Sequence, residues 1–278
     1  RGAMINPARL ALAAAAGAAG ALSLASKYGL GGTVYEPAYG RLPDAFDGFH
    51  IVHLSDLHCA RFGRDNSRLV SAVAALEPDL IALTGDFLDR NAPKELPAIS
   101  ALCSALASIA PVFFVSGNHD WSSGGMDELP GALGRAGVRC LRGEYVPLTR
   151  AGGRIIVCGA EDPSAGPGAA RPDALVAELR REYPEDFVLL LGHRNHWHAR
   201  YPALDVDLVL CGHAHGGIIR LPGLGGLLGN DARFFPKYDA GLYRGQYDMI
   251  VSRGLGNSVP IPRFLNIPEI VSVRLRKK

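Results

Sequence analysis

The sequence is short of the features that would staple a small fold or dedicate it to nucleic acid. Its five cysteines, Cys59, Cys103, Cys140, Cys158 and Cys211, are odd in number and never fall at C-x-x-C spacing. A disulfide framework and a thiolate zinc knuckle are therefore excluded. Cys103, Cys158 and Cys211 lie in apolar surroundings, where a small buried thiol is the ordinary reading, and this favours a reducing compartment. Net charge is nearly absent, with 29 basic residues against 27 acidic ones and a formal balance of +2. Without a basic block in the interior there is no nucleic-acid footprint. Only Arg274, Arg276, Lys277 and Lys278 make a basic end, suited to solvent or to an anionic membrane surface. No internal repeat is visible. What is present is 278 residues, 48% hydrophobic and 20% charged, enough for one large domain with a full core, or for such a domain plus an appendage.

The N-terminus carries an uncharged, Ala- and Gly-rich stretch from Leu10 to Ser26, preceded by Arg1 and Arg9 and followed by Lys27. It stops short of the ~20 apolar residues that span a bilayer comfortably. Three readings compete: a signal-anchor helix, a cleavable signal peptide with a small-residue site at Ser23-Leu24-Ala25, and a surface helix docked on the domain. The flanking arginines favour the N-terminus inside and the remainder outside. Residues 1–27 are thus expected to be a targeting or anchor segment, placing the chain at a membrane or in the cell envelope. Arg1-Gly2-Ala3 ahead of Met4 reads as an expression scar. Residues 28–47, with Gly29, Gly31, Gly32, Pro37, Gly40 and Pro43, read as a linker, and 48–278 as the functional domain.

Within that domain, strand, turn and helix signals alternate. Ile51–Leu54, Leu80–Leu83, Val112–Val115, Phe187–Leu191 and Leu208–Cys211 are continuous apolar runs. Ile218–Leu221, Met249–Ser252 and Ile270–Leu275 are further strand candidates. Helical spacing marks 66–76, 96–109, 127–135 and 172–181, the last with Pro172 in its first turn. Tyr145–Leu148 and Arg154–Cys158 flank Ala151-Gly152-Gly153 as a hairpin. Runs separated by helices argue for parallel strands covered on both faces, and hairpins for antiparallel partners. The expected class is α/β, with a mixed two-sheet core flanked by helices.

Five of these segments end in a turn carrying metal-type ligands: Asp56 and His58, Asp86, Asn118 with His119, His193, and His213 with His215. Asp56 and His58 stand two apart, as do His213 and His215, so in extended backbone each pair points one way. Gly85 lets the chain turn sharply before Asp86. Ligands at the ends of neighbouring strands converge. The oxygen and nitrogen set suits Mn, Fe, Zn, Co or Ni, as two divalent ions. Such a pair can share a hydroxide and clamp both oxygens of an in-line displacement, so a dinuclear hydrolase is the leading expectation.

In this order and at these gaps, D-x-H, G-D, G-N-H-D, G-H and G-H-A-H resemble the calcineurin-like metallophosphoesterases, over essentially all of His50 to Leu275. The resemblance implies a four-layer α/β/β/α sandwich with a dimetal site at the strand ends. It implies that Asp56, His58, Asp86 and His215 hold one ion and that Asp86, Asn118, His193 and His213 hold the other. His119 would contact the scissile phosphate and protonate the leaving oxygen, and Asp120 would orient His119. The reaction implied is attack by metal-bound hydroxide on a phosphodiester or pyrophosphate.

The strings after His213, through Arg220-Leu221-Pro222, Phe235-Pro236-Lys237-Tyr238 and Arg253-Gly254-Leu255-Gly256-Asn257-Ser258, resemble the branch with an N-terminal membrane or export segment. Some members of that branch hydrolyse UDP-2,3-diacylglucosamine. That branch commonly has Pro two residues after the fourth-block histidine, where this chain has Arg194-Asn195-His196, a departure that bears on substrate rather than on metal. A general envelope phosphodiesterase or phosphomonoesterase and a non-catalytic metal-binding scaffold are the alternatives.

Around the site, Arg61 and Arg64 are read either as phosphate grips or as solvated loop residues, and Asn257 as a substrate contact or a turn residue. His53 reads as packed in its strand, and His196, Trp197 and His198 as rim packing. The apolar, Gly-rich 221–229 segment is either a buried connection or a lid for an acyl chain.

Overall fold

The computed structural model describes residues 7–89, 94–229 and 233–278. The apolar runs form strands with both faces buried: β3 (His50–Leu54), β4 (Leu80–Thr84), β5 (Val112–Val115), β9 (Phe187–Leu191), β10 (Leu208–Cys211) and β14 (Asp248–Val251). Burial on two sides is why their apolar residues run on instead of alternating. Beside them lie β1 (Gly31–Tyr35), β6 (Val138–Cys140), the hairpin β7 (Glu144–Arg150) and β8 (Gly153–Gly159), β13 (Gly241–Tyr243) and β15 (Glu269–Arg274). Two short pairs, β2 (Ala38–Tyr39) with β16 (Arg276–Lys277) and β11 (Arg220–Leu221) with β12 (Gly225–Gly226), stand apart.

One sheet has the order β1-β15-β3-β4-β5-β6 and the other β13-β14-β10-β9-β8-β7. In the first, β3, β4, β5 and β6 are parallel, in register through pairs such as Val52–Ile81 and Leu83–Phe114, while β15 joins β3 antiparallel. In the second, β14, β10, β9 and β8 are parallel, with β13 and β7 antiparallel at the edges. The sheets face each other across a shared apolar layer that includes Ile51, Leu80, Phe113, Val157, Leu189, Leu210 and Ile250. Helices α2 (Ser67–Ala74), α3 (Leu96–Ala107) and α5 (Leu129–Arg135) cover the outer face of the first sheet. Helix α6 (Pro172–Glu182) and the single turn α7 (Trp197–Arg200) cover the second. The result is the four-layer α/β/β/α sandwich of two mixed sheets.

Two expectations need correction. Residues 28–47 do not form a free linker, because β1 pairs parallel with β15 at the sheet edge, and Leu42 and Phe46 are buried in the layer between the sheets. The dense Gly and Pro hid a strand whose burial alternates because an edge is half solvated. Residues 218–221 do not form a strand of either sheet. Ile218 has φ +53, and the pairing there is the short β11–β12 ribbon plus one bridge from Ile219 to Phe264.

The helix α1 (Pro7–Tyr28) precedes β1. Its last turn is tied to the domain: Ser26 is buried, its Oγ accepts from the Asn266 N–H at 3.3 Å, and the Tyr28 carbonyl accepts from Arg68 at 3.2 Å. Among the described residues no helix is long and apolar enough to cross a membrane.

Candidate metal centre

Parallel strands bring their C-terminal ends to one edge of each sheet. The turns after β3, β4 and β5 deliver Asp56, His58, Asp86 and Asn118 from the first sheet. Those after β9 and β10 deliver His193, His213 and His215 from the second. All of these turns are tight. Asp56, His58, Asp86, His213 and His215 adopt φ between +45° and +69°, a left-handed backbone that non-glycine residues hold only where their surroundings enforce it. Gly85 at φ +83 precedes Asp86, and a side chain there would meet the Gly117 backbone and the His193 ring. Gly212 likewise leaves room for Ser55 and the Asp56 carboxylate.

The ligand atoms gather in two groups that share Asp86: Asp56, His58, Asp86 and His215 in one, Asp86, His193 and His213 in the other. Asn118 joins the second through its Oδ1, 3.2 Å from His193 Nε2. Within the first group, His58 Nε2 lies 3.2 Å from His215 Nε2, and His215 Nε2 lies 3.5 Å from Asp56 Oδ1. Within the second, His193 Nε2 lies 3.1 Å from His213 Nδ1. Asp86 Oδ2 stands between the groups, 3.1 Å from His193 Nε2 and 3.6 Å from His58 Nε2.

Two tests favour divalent ions over a hydrogen-bond network. Ligands ~2.1 Å from one ion at tetrahedral or octahedral angles are about 3.0–3.4 Å apart, the spacing of these atoms. The buried Asp86 Oδ2 faces only imidazole nitrogens, with no main-chain or hydroxyl donor, whereas Asp86 Oδ1 accepts the His119 N–H at 2.7 Å. A buried carboxylate oxygen surrounded by imidazole nitrogens calls for a cation, either a shared metal ion or a proton on one of the rings. The electrostatics agree. Burial holds His58 and His215 well towards the neutral, ligating form. At His193 burial pulls the same way, but the Asp86 carboxylate overrides it and pushes the imidazole up to about 10. A cation held by Asp86 would take the place of that proton.

The protein frames these ligands from behind. Both Asp56 oxygens accept the His213 N–H at 3.0 Å, bracing one sheet's turn against the other's. His193 Nδ1 donates to the Thr84 carbonyl at 2.8 Å, which fixes its Nε2 towards the centre. Asn266, fully buried, donates through Nδ2 to the His215 and Ile218 carbonyls at 2.7 and 3.0 Å.

His119 sits on the short helix α4 (Asn118–Ser122) beside the first group, its ring 4.7 Å from that of His58. Its orienting partner is Asp89, whose Oδ1 lies 3.1 Å from His119 Nδ1. The role expected of Asp120 is corrected accordingly. Asp120 is the third residue of α4, and from there its carboxylate folds back to accept the N–H groups of Gly117 and Asp86 at 2.8 Å and of Leu88 at 2.9 Å. It ties the second and third ligand turns together, and its hydrogen bonds go to the main chain rather than to the His119 ring. Asp89 was missed by sequence reasoning, although an acid three residues past Asp86 in the same turn was a usable signal.

The other site candidates separate. Arg61 and Asn257 line a cavity that opens on His58. Arg64 does not line it; its side chain is 96% exposed beside Asp65. His53 is buried and bonded to Thr84 Oγ1 at 2.7 Å. Trp197 packs under Gly192, and His198 bonds to the Tyr247 carbonyl, as rim packing requires. Arg194, at the point of departure from the branch pattern, is held two-pronged by Asp162 at 2.7 and 3.1 Å and reaches within 3.2 Å of His213 Nε2.

Residues 49–217 match the family model described as calcineurin-like phosphoesterase, more than half of the chain and every ligand turn. The chain belongs to this family. Calcineurin-like phosphoesterases are metal-dependent phosphoesterases, and this chain is similar over most of its length to several of them. An uncharacterised metallophosphoesterase of Bacillus subtilis (strain 168), YkuE, is 30% identical over 84% of this chain and 82% of its own length. The phosphodiesterase YaeI of Escherichia coli (strain K12) is 33% identical over 75% of this chain and 76% of its own. Among solved structures, the NAD nucleotidase of Haemophilus influenzae shares the fold at a TM-score of 0.54 and 17% identity, over 76% of this chain and 45% of that one.

Proposed function

We propose that this calcineurin-like phosphoesterase hydrolyses a phosphodiester or diphosphate bond in a lipid-linked or nucleotide-sugar substrate, of which UDP-2,3-diacylglucosamine is an example, at a membrane or in the cell envelope. The observation that carries the phosphoester reading is the pair of ligand groups sharing Asp86, with the Asp89–His119 pair beside them. Two divalent ions held by Asp56, His58, Asp86, Asn118, His193, His213 and His215 would supply the nucleophile and neutralise charge on the phosphoryl oxygens. The remaining work falls to the protein. Asp89 accepts from His119 Nδ1, stabilises the imidazolium and leaves Nε2 to deliver a proton to the departing oxygen. Homology to a phosphodiesterase supports the diester reading.

The lipid part of the proposal rests on where apolar surface is left. Among the described residues, the large exposed apolar side chains lie on three segments: Leu22, Leu24, Tyr28 and Val34; Leu224, Phe234 and Phe235; and Val259, Ile261 and Ile267. Asn266 ties the first and third of these segments to the His215 turn, through Ser26 Oγ and the His215 carbonyl, and Phe264 bonds to Ile218 and Arg220 just ahead of the second. Apolar groups gathered beside a hydrolytic centre suit an acyl chain or a bilayer surface. One panel tests the whole reading: the purified chain with Mn²⁺ or EDTA against a bis-aryl phosphodiester, an aryl phosphomonoester and a UDP-linked diacyl sugar. Metal-dependent turnover of the diester and the lipid sugar above the monoester is expected. Turnover of the monoester alone would overturn it.

A further inference from the structure

Beside the first ligand group is a cavity of about 400 Å³ between His58, the last turn of α1 and the 255–263 loop. Its charged walls are all of one sign. Lys27 from α1, Arg61 after the first ligand turn, which also pairs with Glu95 at 2.6 Å, and Arg263 line it, and no carboxylate does.

Arg263 is the unusual member. It is 4% exposed, and its hydrogen bonds go to carbonyl and amide oxygens rather than to a carboxylate. Nε donates to the Asn266 carbonyl at 2.9 Å, Nη1 to the Gly256 carbonyl at 2.7 Å and Nη2 to Asn266 Oδ1 at 3.3 Å. A guanidinium has five N–H bonds, so these contacts leave two for a ligand. Burial draws its pKa down to about 10, and the main opposing influence is Asp56, a carboxylate already committed to the metal centre. A buried charge with no counter-ion of its own is costly, and a bound anion relieves that cost. Asn257 adds an independent sign. Its Nδ2 is spent on the Val259 and Ile261 carbonyls, and its Oδ1 is buried without a partner, an acceptor for a ligand hydroxyl.

We infer that this cavity is a second anion subsite, in which Arg263, Arg61 and Lys27 hold a non-scissile phosphate of the substrate, so that the N-terminal helix forms part of the substrate site. The inference rests on the phosphodiester or diphosphate reading and narrows it to a diphosphate. Arg263→Lys and Lys27→Met test it in the full chain with Mn²⁺, against a bis-aryl phosphodiester and a P1,P2-diaryl diphosphate. Lys27 is exposed, so its variant keeps the test alive if Arg263→Lys folds poorly.

The expected result is a rise in KM for the diphosphate of about tenfold or more over any rise for the single-phosphate ester, with kcat little moved. Calorimetric titration of methylenediphosphonate into the chelated chain supplies a readout without turnover, with binding weakened about tenfold in Arg263→Lys. Equal losses on both esters in both variants would mean structural support only and overturn the subsite. So would a wild-type chain that cleaves the phosphodiester but not the diphosphate, and that result leaves the diesterase reading intact. Cleavage of neither ester would overturn both.

Discussion

At the scale of single residues, the site divides under the proposed function into groups that would hold metal and groups that would serve the reaction. On that proposal His119 and Asp89 are of the second kind: His119 has Asp89 at its Nδ1 and lies outside the two groups that share Asp86, although with His58 the pair forms a third cluster of ligand types. Asp89→Asn should lower kcat by about 10- to 100-fold through loss of the charge that supports the imidazolium. His119→Ala should cost at least as much, and both variants should retain two metal equivalents by elemental analysis. Loss of metal from either would reassign it as a ligand. His53 illustrates a different kind of residue. It is wholly buried, and burial lowers its pKa from 6.5 to about 3. Between those values the unfolded chain takes up a proton that the folded chain refuses, so stability falls as pH drops through that window and is level above it. The expected slope from this group is about 1.4 kcal/mol per pH unit. Urea unfolding of His53→Gln between pH 6.5 and 4.5 should show a shallower fall than wild type.

At the scale of elements, the turns after the strands matter more than the strands. Three ligand turns place residues in left-handed backbone, and Asp120 is the tie that holds two turns together by accepting three main-chain N–H groups. Asp120→Asn puts an amide donor where acceptors are needed. It should destabilise the metal-free chain by about 2–4 kcal/mol and weaken metal retention, read by urea unfolding after chelation and by metal analysis. An unchanged metal-free stability with lost turnover would return Asp120 to a catalytic part. The elements themselves were legible wherever burial was complete, as at 112–115, 187–191 and 208–211, because a doubly covered strand leaves a continuous apolar run. Edge elements were not. β1 and β13 carry Gly and half-exposed side chains, and their pairing depends on neighbours far away in the chain.

At the scale of the molecule, the metal centre is a seam between two sheets. Asp56, His58, Asp86 and Asn118 come from the first and His193, His213 and His215 from the second, so bound ions cross-link the halves of the sandwich. Removal of divalent metal by EDTA should therefore lower Tm. At ion concentrations about 100 to 1,000 times Kd, the lost stabilisation is about 3–4 kcal/mol. Re-addition of Mn²⁺ should restore it, and a variant lacking the shared carboxylate, Asp86→Ala, should show no metal-dependent shift in differential scanning calorimetry.

The sequence by itself determined the class of fold and the order of the candidate ligands, because strand burial and ligand-bearing turns are written in contiguous residues. Tertiary structure alone decided how those residues share their work. It gave His119 to Asp89 and Asp120 to the backbone, since a carboxylate in the first turn of a helix is closest to the N–H groups behind it. It also brought Lys27 and Arg263, from opposite ends of the chain, into one cavity. Nothing local records such a meeting, because it depends on which sheet edge carries each turn.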